Sequence, residues 1–275
     1  MDDPTCAYLI NTTPKYFYLL PLHISLLHRY APSCTWPIYI ATEAPELLPS
    51  TLPLSNIIHL PAHKEAFFDS RAEAVRRLPP SIKYVFPIQE DFLLEGRPMK
   101  EPIQEAIDLL NTHPDLSSVR LMPCPGPRGV KQFQGTNFRL LEKETDTIIF
   151  TYQATIWRRA DYLAFMDTLI AYSTEKTLPT EDCQKKQNNI AIKINLAEIH
   201  LGQSLLHSVL PGKQHIAWLR EGNHPNAVYL CPWPYRPTAV VRGQLEPWAA
   251  DLAKREGFAF PFPVLPSPSN PYYSA

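Results

Sequence analysis

Short apolar runs bounded by turn residues alternate along this chain with segments of helical period, and that alternation restricts the fold more than any other feature. It favours an α/β sheet. A buried strand at 7–10 opens the chain and ends in Asn11-Thr12-Thr13-Pro14. Phe17, Leu20, Ile24, Leu27 and Tyr30 then recur at helical spacing across 16–30 until Pro32 stops the pattern, with Pro21 near the first turn or at a kink. Residues 36–41 read as a second strand because Ile38, Tyr39 and Ile40 have strong β preference, and 56–60 as a shorter third. Asp69-Ser70-Arg71 precedes a helical stretch at 72–78 that Pro79-Pro80 ends, and the apolar 84–88 follows. The order so far is β-α-β-β-α-β. An amphipathic helix at 102–111, through Ile103, Ile107 and Leu110, and a strand at 118–122 continue the alternation. Beyond the rigid loop Pro123-Cys124-Pro125-Gly126-Pro127, residues 133–152 suit a β-excursion, and 162–172 and 181–206 look helical. Residues 261–275 are proline-rich and without periodicity, so the expected organisation is one domain at 1–260 with a tail at 261–275.

Composition removes several classes of function. A net charge of −1, from 26 basic and 27 acidic side chains, leaves no broad footprint for a polyphosphate backbone, so nucleic acid is not an expected partner. Cys6, Cys34, Cys124, Cys183 and Cys231 are odd in number and contain no Cys-x-x-Cys pair, which suits reduced thiols. Met1-Asp2-Asp3-Pro4 has neither the basic nor the apolar region of a signal peptide, and no apolar run approaches bilayer-spanning length. A cytoplasmic protein without a transmembrane segment is the expectation. The nine histidines form no obvious cluster with the cysteines, leaving His207, His215 and His224 as weak candidates for a late metal or phosphate contact. P-loop, dinucleotide-turn and nucleophile-elbow glycine patterns do not occur.

Gln89-Glu90-Asp91-Phe92 directly follows the 84–88 strand. Two carboxylates therefore emerge at a carboxyl edge, where open α/β sheets place their ligands. One or two carboxylates there can hold a divalent ion against a diphosphate, with Asp91 the better metal ligand. The alternative is a cap or a solvated acidic turn.

The stretch from Lys83 to Leu94 resembles the acidic motif of GT-A-type nucleotide-sugar glycosyltransferases, in the version with a tyrosine, an apolar run, an acidic pair and a phenylalanine. Ser118-Val119-Arg120-Leu121, then Tyr152-Gln153-Ala154-Thr155-Ile156-Trp157, and then Val240-Val241-Arg242-Gly243-Gln244-Leu245 are similar, in the same order, to segments of bacterial and large-virus members. The resemblance runs from about Tyr8 to Gly257. It implies a GT-A-like fold, meaning a Rossmann-like mixed sheet flanked by helices. The implied reaction moves a sugar from a nucleoside-diphosphate sugar, with UDP as the base-rate guess, to a sugar hydroxyl of a glycan or glycoconjugate acceptor, with inversion and with Mn²⁺ or Mg²⁺. Two positions depart from the family pattern: Gln89 stands where the Asp-x-Asp motif has an aspartate, and Gln244 follows the late glycine where relatives carry lysine. They keep open a non-catalytic carbohydrate- or partner-binding protein on the same scaffold.

Further residues take roles within that resemblance. Asn11, Thr12 and Thr13 end the first strand, where the family sets loop groups against the base and ribose; a structural turn is the alternative. Arg71 can meet the donor diphosphate through its planar guanidinium, unless Asp69-Ser70-Arg71 is simply a helix N-cap. Arg242 is a second candidate for stabilising departing charge. Trp157 resembles the acceptor-pocket aromatic, with a core tryptophan as the alternative. An inverting transfer needs a general base, and Glu181 or Asp182 is the candidate, unless Thr180 caps a helix whose first turn favours acidic side chains.

Overall fold

The computed structural model describes residues 5–52, 56–61, 67–122, 131–142, 145–146, 149–173, 206, 208–219, 231–236, 238–260 and 262–269. Twelve strands appear among them: β1 (Cys6–Asn11), β2 (Ile38–Thr42), β3 (Ile57–His59), β4 (Tyr84–Gln89), β5 (Leu93–Leu94), β6 (Leu116–Arg120), β7 (Phe138–Leu140), β8 (Thr155–Arg158), β9 (Gln214–Trp218), β10 (Tyr235–Arg236), β11 (Val240–Val241) and β12 (Gln244–Leu245). The helices are α1 (Leu20–Tyr30), α2 (Phe67–Arg76), α3 (Lys100–Thr112), α4 (Arg159–Ser173) and α5 (Pro247–Arg255).

Eight strands form the main sheet in the order β3-β2-β1-β4-β8-β6-β9-β7. The β3-β2-β1-β4 half is parallel throughout. β8 then runs antiparallel to both β4 and β6, and β7 runs antiparallel to β9. The Rossmann-like mixed sheet flanked by helices, expected from the sequence, is the fold found.

β1 explains why the first half was readable. All six of its residues are buried, as a central strand covered on both faces requires. Tyr8 and Ile10 join Phe86 and Ile88 of β4 in the layer under α1, α3 and α5, while Ala7 and Leu9 join Val85 in the layer under α2 and α4. This is the period-two alternation of a strand with two apolar faces. Proline at the start of the first helical segment is accommodated rather than disruptive. Pro14 opens a 3-10 turn (Pro14–Leu19) and Pro21 stands at the first turn of α1, where a missing N–H costs little.

Two expectations are corrected. The second helix begins at Phe67, so Asp69, Ser70 and Arg71 lie inside α2 and do not form its N-cap. Phe68, fully buried, packs into the apolar layer under α2 and α4. The strand expected at 118–122 is β6, displaced toward its amino end, and among the described residues the 133–152 excursion contributes β7 as its one named strand. Part of the proline-rich segment is docked: Leu245 N–H donates to the Pro263 carbonyl at 2.9 Å, Leu265 N–H to the Leu245 carbonyl at 2.8 Å, and Ser269 N–H to the buried Glu246 carboxylate at 3.2 Å. The helix expected at 181–206 lies outside the described residues except for Leu206. No helix among the described residues is long and apolar enough to cross a membrane.

Candidate functional site

The parallel register sets Asn11, the last residue of β1, opposite Gln89, the last of β4. The two chains therefore leave the sheet side by side. Asn11 donates through Nδ2 to the Ser70 carbonyl at 3.3 Å, tying this edge to α2. Thr12 donates its N–H to the Ala41 carbonyl at 3.0 Å, while its buried hydroxyl finds no partner among the described residues. Thr13 is exposed, and its carbonyl accepts the Tyr16 N–H that starts the 3-10 turn.

After β4 the chain turns through Gln89–Phe92, closed by Phe92 N–H to the Gln89 carbonyl at 3.1 Å. Glu90 is only 8% exposed and Asp91 is half-buried. Burial first, then the neighbouring Asp91, pushes the Glu90 carboxyl up to about 8, with Arg71 pulling in the opposite direction. Burial lifts Asp91 to about 7 against the backbone N–H groups of Val240 and Ala239. Asp91 also accepts the Ala239 N–H on its own carbonyl, at 3.0 Å.

A residue that the sequence reading passed over holds this turn. His23, buried on α1, contacts the Glu90 carbonyl through Nδ1 at 3.0 Å and the Tyr8 hydroxyl through Nε2 at 2.7 Å. A carbonyl only accepts, so Nδ1 carries the proton and the neutral ring's Nε2 receives the tyrosine's. Burial lowers His23 to about 4, which keeps it neutral. Its position among Ile24 and Leu27 was the available signal.

Arg71 is 8% exposed, yet has no carboxylate within ion-pair distance among the described residues. Its Nη1 donates to the Phe67 carbonyl at 3.1 Å, and its guanidinium lies 3.4 Å from the Phe67 ring centroid and 5.5 Å from that of Tyr152. Burial lowers its pKa, partly countered by Tyr162, Tyr152 and Glu90. The first strand's end, the acidic turn and the arginine are thus brought to one edge.

Arg242 occupies the tip of the β11–β12 hairpin and is exposed. Arg242 and Gly243 both have positive φ, 51° and 79°, as a two-residue type I′ turn demands, which gives the late glycine a backbone reason. The hairpin's base is fastened to Asp91 through Ala239. Tyr18, from the 3-10 turn, stacks on Phe262 at 3.9 Å; burial, Tyr16 and then the two carboxylates push its pKa up to about 12.

The remaining candidates fall elsewhere. Trp157 is 2% exposed and enclosed by Phe150, Tyr162 and His215, a placement that suits the core alternative. His215 is buried on β9, its Nδ1 2.8 Å from the Ser118 hydroxyl. Glu181, Asp182, His207 and His224 lie outside the described residues. Among the described residues no group of three or more His, Cys, Asp or Glu side chains could hold a metal ion. A cation here would rest on Asp91 and Glu90 and take its other oxygens from phosphate and water, as Mg²⁺-like ions commonly do.

The raised carboxyl has a measurable consequence. A carboxyl whose folded pKa is raised binds its proton more tightly in the folded state, so its stabilisation is complete below about 4.5 and is lost as pH rises through about 8. His23 acts in the opposite sense between about 6.5 and 4, and Asp91 and Arg71 also face Glu90, so the comparison must be between variants. Glu90→Gln is expected to gain stability over the wild type on going from pH 5 to pH 8.5, by on the order of a few kcal/mol, in urea unfolding at the two pH values.

No family model and no curated protein matches the sequence. The fold and site define an open α/β sheet with an acidic turn at the carboxyl edge of β4. Among solved structures the chain is similar to S. aureus TarS, at 14% identity over 70% of this chain and 34% of that one, with a TM-score of 0.37. It is also similar to the Francisella tularensis 2-C-methyl-D-erythritol 4-phosphate cytidylyltransferase IspD, at 14% identity over 74% of this chain and 86% of that one, TM-score 0.40. The 4-diphosphocytidyl-2C-methyl-D-erythritol synthase of Anaerococcus prevotii gives 10% identity, 66% and 82% coverage and a TM-score of 0.37. Likenesses this distant carry no argument about activity.

Proposed function

We propose that the chain is a GT-A-type glycosyltransferase that moves a sugar from a nucleoside diphosphate, UDP being the expected carrier, to a hydroxyl of a glycan or glycoconjugate acceptor. The observation that carries the reading is the buried Arg71, without an ion pair among the described residues, in electrostatic reach of Glu90 in the acidic turn at the carboxyl edge of β1 and β4. A diphosphate with a divalent ion answers both needs: phosphate oxygens satisfy the guanidinium and the cation satisfies the carboxylates.

In this reading Asp91, helped by Glu90, holds Mn²⁺ or Mg²⁺. When bound, the ion supplies Lewis-acid stabilisation of charge on the departing diphosphate. Arg71 binds the phosphates, Asn11 and Thr12 line the nucleoside side, and His23 fixes the backbone that presents the carboxylates. Glu181 or Asp182 is the proposed base for the acceptor hydroxyl, and Arg242 a further cationic contact at the tip of the β11–β12 hairpin. The test is incubation with UDP-sugars and Mn²⁺ without acceptor. Slow release of free sugar, absent from Asp91→Ala, supports a transferase; tight binding of UDP with no release from any donor identifies the non-catalytic scaffold instead.

A further inference from the structure

Two tyrosines on the α2–α4 side of the sheet hold hydroxyls for which the structure gives no use. Tyr152 is 7% exposed and Tyr162, in the first turn of α4, is 1% exposed. Both hydroxyl oxygens are buried without a hydrogen-bond partner among the described residues. A buried hydroxyl left unpaired costs free energy, and Phe in its place would not. The two phenols interact electrostatically with each other and with Arg71, whose guanidinium sits over the Tyr152 ring.

The rings are rigidly set. Phe150 packs edge-on against Tyr152 at 4.9 Å, and Trp157 lies 5.7 Å from both Phe150 and Tyr162. Trp157 therefore acts in the interior, as part of the wall that orients Tyr162. Thr12, just after β1, has another buried hydroxyl without a partner among the described residues. Two unmet phenol donors beside a buried cation that has no ion pair among the described residues suit an anion: water would satisfy the hydroxyls and leave the charge uncompensated.

We propose that Arg71, Tyr152 and Tyr162 form an anion-binding corner for phosphoryl oxygens of the donor diphosphate, with Arg71 supplying the charge and the two phenols donating hydrogen bonds. This rests on the reading of the edge as a nucleoside-diphosphate site. Burial raises the pKa of both tyrosines, so they remain protonated donors at neutral pH.

The test compares the wild type with Tyr152→Phe, Tyr162→Phe and the double variant, measuring calorimetric affinity for inorganic pyrophosphate and for UDP, each with Mn²⁺, and the melting temperature. Each single change is expected to weaken both ligands by about tenfold, with a melting temperature unchanged or raised. Undiminished affinity in the double variant, or a melting temperature that falls because the hydroxyls already have partners, overturns the proposal while leaving the diphosphate site standing. If the wild type binds neither ligand, the reading of the site fails and this corner with it.

Discussion

Asp91→Ala is expected to lower donor turnover by on the order of a hundredfold to a thousandfold, because it removes the group that sets a cation against the leaving diphosphate. The variant should still fold. The hairpin at Ala239 is held by the Asp91 backbone carbonyl as well as by its carboxyl group, and the substitution leaves that 3.0 Å bond in place. It also removes a half-buried acid that burial has already lifted to about 7. A matching melting temperature with lost turnover separates a ligand role from a structural one. Full turnover in a folded Asp91→Ala protein would sink the metal-anchor assignment.

Arg71→Met carries the second large effect, in opposite directions for binding and stability. Removing one member of a buried charge pair with the diphosphate should cost about 2–5 kcal/mol of UDP affinity. The folded protein without ligand should be no less stable, because the arginine is a buried cation without an ion pair among the described residues and its long stem is replaced by a side chain of similar length. In the unliganded protein Glu90 loses little at neutral pH, since burial pushes its carboxyl up to about 8, whereas a bound cation would favour its charged form. Titration of UDP alongside urea unfolding checks both halves. A variant that binds UDP normally but unfolds easily would make Arg71 a packing residue, with its stacking on Phe67 as the reason for its burial.

The legible part of this molecule is the part whose residues are buried by their own element's geometry. β1 and β4 are apolar runs between two helical layers, and α1 carries its apolar stripe at regular spacing, so each announces itself locally. The acidic turn was legible for the same reason, because a strand that ends in Gln89 leaves Glu90 and Asp91 at an edge. What the sequence concealed depends on partners distant along the chain. Nothing near His23 indicates that it will meet Glu90, and nothing near Tyr152 indicates Arg71. The β11–β12 hairpin consists of two-residue strands, too short for periodicity, and β9 is a five-residue strand with a polar start and four buried residues, without a clear alternation. Arg71 misled because Asp69 and Ser70 look like cap residues, whereas Phe67 and Phe68 start the helix earlier.

The central claim is that the edge around Glu90, Asp91 and Arg71 recognises a diphosphate together with a divalent ion. Isothermal titration of the wild-type protein with UDP and with uridine, each with and without Mn²⁺, measures that directly. The account predicts that UDP binds, that Mn²⁺ tightens it, and that uridine binds far more weakly and without regard to the metal. Equal affinity for UDP and uridine, unaffected by Mn²⁺, would contradict it.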